Sequence, residues 1–198
     1  MLSLPDWAFY PISAAAAAGM IAAAMSFGDT NHRTPEEIRA EGITFEGESL
    51  AALTVGNGLT VEFLTENGIR FARVSAARAP LDGIQSAGAF FTLTTEEIEA
   101  LQGHRIRLTY TLRAASSNGA DEALLNFFTP GRSQQDWERH LLAPEFDTIT
   151  MDLSPTTCEW GFGYVGLWPD WRSSQNQADL SRVELTALEA VPCSDQAP

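Results

Sequence analysis

The sequence predicts a mainly β protein, an antiparallel jelly roll or β-sandwich with two short helices, preceded by one transmembrane α-helix. From residue 43 onward, short runs of alternating apolar and polar residues recur, and glycine, asparagine and proline separate them. Before that point, no charged residue lies between Asp6 and Asp29, which predicts the membrane helix. We therefore divide the chain into a transmembrane helix at 1–28, a linker with a short helix at 29–43, a sandwich domain at 44–190 and a tail at 191–198.

The uncharged segment is long enough to cross a bilayer. Its twenty-two residues, 7–28, would form a helix of about 33 Å, against an apolar bilayer core of about 30 Å. Aromatic side chains at its two ends suit the membrane interfaces, and they are Trp7, Tyr10 and Phe27. A cleaved secretory signal is the first alternative and a buried helix of a soluble domain the second. The residues before the apolar run include no Arg or Lys, which a secretory signal needs.

The predicted span is rich in alanine and poor in large aliphatic residues. Small side chains allow close approach of helix backbones in a membrane, and the residues that would form such a surface are Ser13, Ala15, Gly19 and Ala23. We therefore expect other integral membrane subunits as partners. The alternative is a compositional bias toward alanine, in keeping with the complete absence of lysine.

Charge and cysteine content restrict the partners and the compartment. The formal net charge of −14 argues against a nucleic-acid partner. Cys158 and Cys193 are the two cysteines, and we expect a disulfide between them, with two unrelated thiols as the alternative. Arg33 and Arg39 follow the span and favour a cytoplasmic domain, whereas a disulfide favours the oxidising side. We expect a single-pass protein of the bacterial inner membrane with a periplasmic domain.

Local signals define the elements of the domain. Thr34 and Pro35 begin a short helix that Gly42 ends, and residues 94–103 form a second one. Asn67-Gly68 between two alternating runs predicts a two-residue hairpin turn. The predicted strands are 58–64, 69–76, 88–93, 106–113, 123–128, 137–142, 146–153, 163–168 and 182–188. Short strands at this spacing are typical of a sandwich.

Three stretches of the domain resemble a known family. They are NGIRFARV early in the domain, YVGLWPD near its end and the closing SRVEL. Together with the strand order, they resemble bacterial carbohydrate-binding jelly rolls of the galactose-binding-like type over residues 44–190. The resemblance implies a jelly-roll fold. It also implies sugar binding or protein contacts, since members of that family do one or the other.

A cluster of tryptophans near the end of the domain is the best candidate surface. Tryptophan faces stack on sugars, planar polar groups bind hydroxyls, and Trp with Arg is also typical of protein interfaces. The candidate residues are Trp160, Trp168, Asp170, Trp171, Arg172 and Asn176. Packing of the tryptophans in the core is the favoured alternative, ahead of a docking surface and then a sugar site.

No catalytic pattern is present in the sequence. The three histidines lack metal-ligand spacing, and they are His32, His104 and His140. The GxGxxG match at 161–166 continues into a strand, whereas a dinucleotide site needs a following helix. We therefore expect no enzyme activity and no cofactor.

Calcium is the one metal considered, because sandwiches of this kind often hold it between their first and last strands. The candidate ligands are Glu46, Glu48 and Glu184, and a solvated strand face is the favoured alternative.

The preferred function from these observations is a non-catalytic accessory or structural subunit of a multi-subunit membrane complex, of respiratory or photosynthetic type. In that role the sandwich docks on the extracytoplasmic face. The alternative is a membrane-tethered carbohydrate-binding module of the cell envelope.

Overall fold

The computed structural model describes Met20 and residues 33–80, 87–130, 137–154 and 160–191. The chain divides into two compact units, Met1–Thr34 and Pro35–Pro198, and the elements below belong to the second. Among the described residues, no helix combines the length and apolar character needed to cross a membrane. The predicted span lies outside the described residues except for Met20, and so do its interface and packing residues Trp7, Tyr10, Ser13, Ala15, Gly19, Ala23 and Phe27.

The second unit is mainly β, as predicted, with a few short helices. Its helices are α1 (Pro35–Glu41), a 3₁₀ helix (Gly47–Ala52) and α2 (Thr95–Leu101). Its strands are β1 (Ile43–Glu46), β2 (Thr54–Val55), β3 (Leu59–Glu66), β4 (Ile69–Ala76), β5 (Ala89–Thr92), β6 (His104–Ala114), β7 (Glu122–Phe128), β8 (Glu138–Leu141), β9 (Asp147–Leu153), β10 (Tyr164–Pro169) and β11 (Gln177–Ala190).

The strands form two antiparallel sheets that pack as a sandwich. In the six-stranded sheet the order is β3-β4-β11-β6-β9, and β1 also pairs with β11. In the five-stranded sheet the order is β2-β5-β10-β7-β8. The last two strands of the chain, β10 and β11, therefore lie at the centres of the two sheets.

The hydrophobic core lies between the two sheets, and strand β6 contributes one row of side chains to it. Its alternate residues are buried, as the alternation predicts, and they are Ile106, Leu108, Tyr110 and Leu112. Across the core, the rings of Phe45 and Phe91 stack with their centroids 4.2 Å apart. The Tyr110 hydroxyl donates a hydrogen bond to the carbonyl oxygen of Gly166 in the opposite sheet, at 2.9 Å. Burial raises the pKa of Tyr110, so this hydroxyl stays protonated and joins the two sheets.

Strands β1 and β2 and the 3₁₀ helix are not among the predicted elements, and strand β11 is longer than predicted. It begins at Gln177, whereas the predicted strand begins at residue 182. The extra residues pair with β4, and Ala178 and Leu180 among them are buried, so tertiary pairing overrides the polar local sequence. The 3₁₀ helix Gly47–Ala52 carried no recognisable signal and buries Leu50.

Candidate functional site

The outward face of the five-stranded sheet carries the candidate site. Residues directly opposite each other in antiparallel strands share a face. Phe91 contacts the other sheet through Phe45, so its row faces inward. The neighbouring row, in which Gly166 is opposite both Phe90 and Asn126, therefore faces outward. We call this surface the aromatic face, and its residues on β5, β10 and β7 are Phe90, Thr92, Tyr164, Gly166, Trp168, Leu124, Asn126 and Phe128.

One end of the aromatic face is open. Phe162 lies two residues before the start of β10 and is 40% exposed. Its ring stacks on that of Tyr164, with centroids 5.5 Å apart and an angle of 21° between the planes. Phe90 meets Tyr164 edge-on at 5.4 Å. Tyr164 and Phe90 are each half-buried, so three rings present a shared surface to solvent.

Hydroxyl groups flank these rings. Thr92 is opposite Tyr164 in the sheet, and Thr54 of β2 is opposite Phe90. Both threonines are exposed. Together with the Tyr164 hydroxyl, they place hydrogen-bonding groups beside the rings without any formal charge.

The middle of the aromatic face is closed. A Cβ added to Gly166 would lie 2.4 Å from the carbonyl oxygen of Ala87 and 3.3 Å from the Trp137 ring. The backbone at Ala87 and the indole of Trp137 therefore rest directly on the sheet at Gly166. Beneath them, Asn126 and Trp168 are fully buried.

Trp137 is held in place by two aromatic contacts. Its ring meets Phe128 edge-on at 5.2 Å and Trp168 edge-on at 6.4 Å. A Cβ at Gly88 would also lie 3.3 Å from the Trp137 ring. The indole thus forms a wall between the open rings and the rest of the sheet.

Two buried donors in the closed region have no hydrogen-bond acceptor among the described residues. They are Nδ2 of Asn126 and Nε1 of Trp137. The Asn126 side chain is nevertheless oriented, because its Oδ1 accepts a hydrogen bond from the backbone N–H of Phe127 at 2.7 Å. Each buried donor without a partner costs about 1–3 kcal/mol.

The far end of the face is charged. Glu122 accepts a hydrogen bond from Arg139 Nη1 at 2.7 Å and also pairs with Arg172. Arg172 in turn contacts Asp170 through its Nε at 2.8 Å. Next to this cluster, Leu141 of β8 is 79% exposed.

The structure separates the six residues of the predicted tryptophan surface. Trp160 is buried in the core and meets Phe127 edge-on at 5.7 Å. Trp168 is buried as well, and its Nε1 donates to the carbonyl oxygen of Arg78 at 2.9 Å. These two indoles are therefore packing residues, which corrects their place in a candidate surface.

The other four residues of that prediction lie in the turn between β10 and β11. Trp171 is half-buried against the core, and the Arg172 guanidinium lies 5.8 Å from its ring. Asp170 and Arg172 are paired with each other. Asn176 donates from Nδ2 to the Ala76 carbonyl oxygen at 2.7 Å, so it fixes the turn to β4. Only Asp170, Trp171 and Arg172 remain as a contiguous surface.

The calcium candidates are each paired with an arginine. Glu48 contacts Arg70, and Glu46 and Glu184 both contact Arg182, at 3.6 and 2.9 Å. In the part of the chain that the structure describes, no three His, Cys, Asp or Glu side chains form a metal-ligand group. The predicted disulfide cysteines, Cys158 and Cys193, lie outside the described residues, as does His32.

The glycines of the GxGxxG match have structural roles. β10 follows them as a strand, with no helix there. Gly163 accommodates the Leu93 side chain, since an added Cβ would lie 2.9 Å from Leu93 Cδ1. Gly166 allows the contact with Ala87. At Gly161, by contrast, an added Cβ would meet nothing within 4 Å.

Sequence reasoning missed the open rings and the wall. The predicted strands contain Phe90, Tyr164 and Trp137 with no indication that they lie at a surface, and Phe162 lies outside every predicted strand. A signal was present for Asn126, which is a polar residue inside the apolar run ALLNFF. A buried amide in such a run indicates either a structural hydrogen bond or a binding site.

No protein-family profile and no curated protein matches the sequence. Solved structures of carbohydrate-binding modules do resemble the chain. The CBM22-1 xylan-binding domain from Paenibacillus barcinonensis is 10% identical over 71% of this chain and 88% of its own, with a TM-score of 0.47. The CBM22-1–GH10 modules of a Clostridium thermocellum endo-1,4-β-D-xylanase, solved with xylohexaose, are 12% identical over 71% of this chain and 27% of theirs, with a TM-score of 0.47.

A third structure is the GH26–CBM35 β-(1,4)-mannanase of Podospora anserina. It is 17% identical over 80% of this chain and 30% of its own, with a TM-score of 0.42. At such identities and with TM-scores below 0.5, these similarities assign no function to this chain.

Proposed function

We propose that this chain is a non-catalytic carbohydrate-binding module of the cell envelope, tethered by residues 7–28, and that the open end of the aromatic face contacts the sugar. The stacked and partly exposed pair Phe162 and Tyr164, with Phe90 beside it, is the observation that carries the proposal. An exposed apolar surface with a few polar groups around it indicates a ligand site.

The geometry suits a sugar because a pyranose has an apolar face of C–H groups and a rim of hydroxyls. The C–H face packs on an aromatic ring, whose negative π face attracts the weakly positive hydrogens. The hydroxyls of Thr54, Thr92 and Tyr164 lie at positions around the rings where they can bond the rim.

Charge favours a neutral sugar. Neither the aromatic residues nor the flanking threonines carry a charge, and the whole chain carries a formal −14. A polyanionic glycan would be repelled over the range of the Debye length, about 8 Å at physiological salt.

Calorimetric titration with a panel of neutral plant and bacterial polysaccharides tests the proposal. We expect binding to at least one of them, weakened about tenfold or more by Tyr164→Ala or Phe162→Ala, which corresponds to about 1.4 kcal/mol or more. Phe63→Ala is the matched control, because Phe63 is a similarly exposed phenylalanine, 37%, on the other sheet. Binding that neither ring substitution weakens would contradict this site, and no binding to any polysaccharide would contradict the function.

A membrane-complex subunit is the second candidate, and Leu141 favours it. Leu141 is 79% exposed on β8, which is an edge of the five-stranded sheet, and the backbone groups of an edge strand can pair with a strand of a partner protein. We propose that an integral membrane complex would contact this strand while residues 7–28 pack against its helices. Co-purification in mild detergent tests it, and Leu141→Ser should reduce recovery of the complex. Migration as a free monomer under those conditions would contradict it.

A further inference from the structure

The aromatic face is open in two neighbouring directions and closed in the two directions opposite to them. Along β10, the exposed ring of Tyr164 is two residues from Gly166, where the Ala87 backbone and the Trp137 indole rest on the sheet. That separation is about 7 Å, comparable with the length of one sugar ring. A glycan that extends from Tyr164 along β10 toward Trp168 would therefore contact Ala87 and Trp137 after about one sugar ring.

The direction across the strands toward β7 is closed by the same indole. The residue opposite Tyr164 on that side is Phe128, which is only 6% exposed because Trp137 packs on it. On the other side, Thr92 is exposed, and β2 forms the edge of the sheet. The rings are thus accessible from the β2–β5 edge and from Phe162, and blocked toward β7 and Trp168.

We propose that the aromatic face binds the end of a glycan chain and not its interior, with Trp137 as the wall against which the chain stops. This inference rests on the proposed sugar-binding function. An interior segment of an extended glycan runs through a site and leaves it in two opposite directions. Along β10, the direction of Phe162 is open and that of Trp168 is closed; across the strands, the direction of β2 is open and that of β7 is closed. Each opposite pair is therefore closed at one end, and the described surface admits a terminal unit. Trp137 is therefore a specificity residue that selects chain ends.

The Trp137 indole can lie against the sheet because two residues next to it, Gly166 and Gly88, have no side chain. A Cβ added to either glycine would lie 3.3 Å from the Trp137 ring, so the ring occupies space that a side chain would need. Because Phe128 and Trp168 contact the indole on two sides, the wall cannot move without breaking both contacts.

Calorimetric titration with a linear oligosaccharide series, taken from the polysaccharide that binds, tests this proposal. The series runs from the monosaccharide to the hexasaccharide and on to the polymer. For the wild-type protein we expect affinity to level off by the trisaccharide, with less than about a twofold gain beyond it, and one protein bound per polymer end. Trp137→Ala should remove the wall, so that affinity rises about tenfold or more between trisaccharide and hexasaccharide.

Two controls keep the result interpretable. Trp171→Ala removes a half-buried indole outside the aromatic face and should leave the length dependence flat. Trp137→Phe keeps an aromatic ring against Phe128 and Trp168, and it replaces the alanine variant if thermal melting shows that the alanine variant is unfolded. Its affinity should depend on glycan length to a degree between those of the wild type and the alanine variant.

The outcomes separate this inference from the function it rests on. Wild-type binding that strengthens steadily with chain length, with several proteins along each polymer, would overturn end binding and leave the sugar site standing. A flat length dependence in both Trp137 variants would overturn the role of the wall. Failure of every saccharide to bind would overturn the proposed function and this inference with it.

Discussion

Asp179 is a carboxylate with no exposed surface, held between two guanidinium groups on the six-stranded sheet. Arg73 donates two hydrogen bonds to it, at 2.7 and 2.9 Å, and Arg113 donates one at 3.1 Å. The bond to Asp179 raises the pKa of Arg73. Three strands, β4, β6 and β11, meet at this triad, so it fixes their relative register.

Replacing Asp179 by alanine removes the carboxylate partner of Arg73 and leaves Arg113 with Glu66 alone. We expect Asp179→Ala to lower the free energy of unfolding by about 3–5 kcal/mol, because breaking a buried pair on one side leaves the other charge uncompensated. Urea unfolding at neutral pH measures the change. Glu62→Ala, an exposed carboxylate on neighbouring β3, should cost less than about 0.5 kcal/mol, and equal losses in the two variants would contradict this account.

Gly166 lies where the sheet meets the Ala87 backbone. A methyl group there would approach the Ala87 oxygen at 2.4 Å and Phe128 Cε2 at 2.9 Å, and the first of these is backbone that cannot rotate away. We expect Gly166→Ala to destabilise the protein by about 1–3 kcal/mol, the usual cost of overpacking.

Gly161→Ala is the matched control for this prediction, since an added Cβ there meets nothing within 4 Å. It should change the free energy of unfolding by less than about 0.5 kcal/mol. Thermal or urea unfolding measures the stability of both variants. If Gly166→Ala were as stable as Gly161→Ala, the Ala87 backbone would have to move away from the new methyl group at little cost, which would contradict the prediction.

Helix α2 shows how a short element is defined by its own sequence. Thr94 Oγ1 accepts a hydrogen bond from the Glu97 backbone N–H at 3.3 Å, and the Glu97 carboxylate accepts one from the Thr94 N–H at 2.8 Å. This reciprocal pair satisfies two of the free donors at the start of the helix. A seven-residue helix has little intrinsic stability, so its cap and its buried Ile98, Ala100 and Leu101 maintain it.

The cap can be tested without touching the core. We expect Thr94→Ala to lower the free energy of unfolding by about 0.5–2 kcal/mol. Thr94→Ser restores the accepting oxygen and should recover most of the loss. Denaturant midpoints of the three proteins give the comparison, and a serine variant as unstable as the alanine variant would show that the hydroxyl is not the cause.

Across the whole molecule, acidic residues exceed basic ones, and arginines on the outward face of the six-stranded sheet are paired with carboxylates. Asp152 accepts two hydrogen bonds from Arg107, at 2.8 and 2.9 Å, and one from Arg105 at 3.3 Å. The hydrogen bond from Arg107 lowers the pKa of Asp152. The folded state therefore holds this proton less tightly than the unfolded state does.

The sign of the resulting pH dependence follows from linkage. The contribution of Asp152 to stability is complete above its unfolded pKa, about 3.9, and is lost as the pH falls through the lower folded pKa. We expect the wild type to be more stable than Asp152→Asn at neutral pH, with the difference shrinking as the pH falls below the unfolded pKa of about 3.9. Urea midpoints at several pH values measure it, and a difference that grows in acid would contradict the sign.

Much of the fold follows from local chemistry. The alternation in β6, the cap of α2 and the Asn67-Gly68 turn all depend on residues within a few positions of one another. Asn67 and Gly68 have φ values of 52° and 81°, the left-handed conformations that this dipeptide adopts most readily. For these elements the sequence-based prediction and the structure agree.

The candidate site depended on contacts between distant parts of the chain. Tryptophan as a residue type suits a sugar platform, but Trp160 and Trp168 are covered by Phe127 and by the region of Arg78 and Trp137. The exposed rings belong to Phe162 and Tyr164, whose sequence neighbours look no different from those of buried aromatics. Residue type alone therefore did not indicate which aromatic rings are exposed.

Side-chain alternation, caps and turns act over a few residues, so the sequence is enough to predict an antiparallel sandwich with short helices. Which aromatic rings face solvent depends instead on the tertiary structure. Ala87 precedes β5 and Trp137 precedes β8, and both lie against Gly166 because β5, β10 and β7 pair side by side. Burial depends on that three-dimensional packing, so no local sequence pattern distinguishes the covering residue Trp137 from the exposed rings of Phe162 and Tyr164.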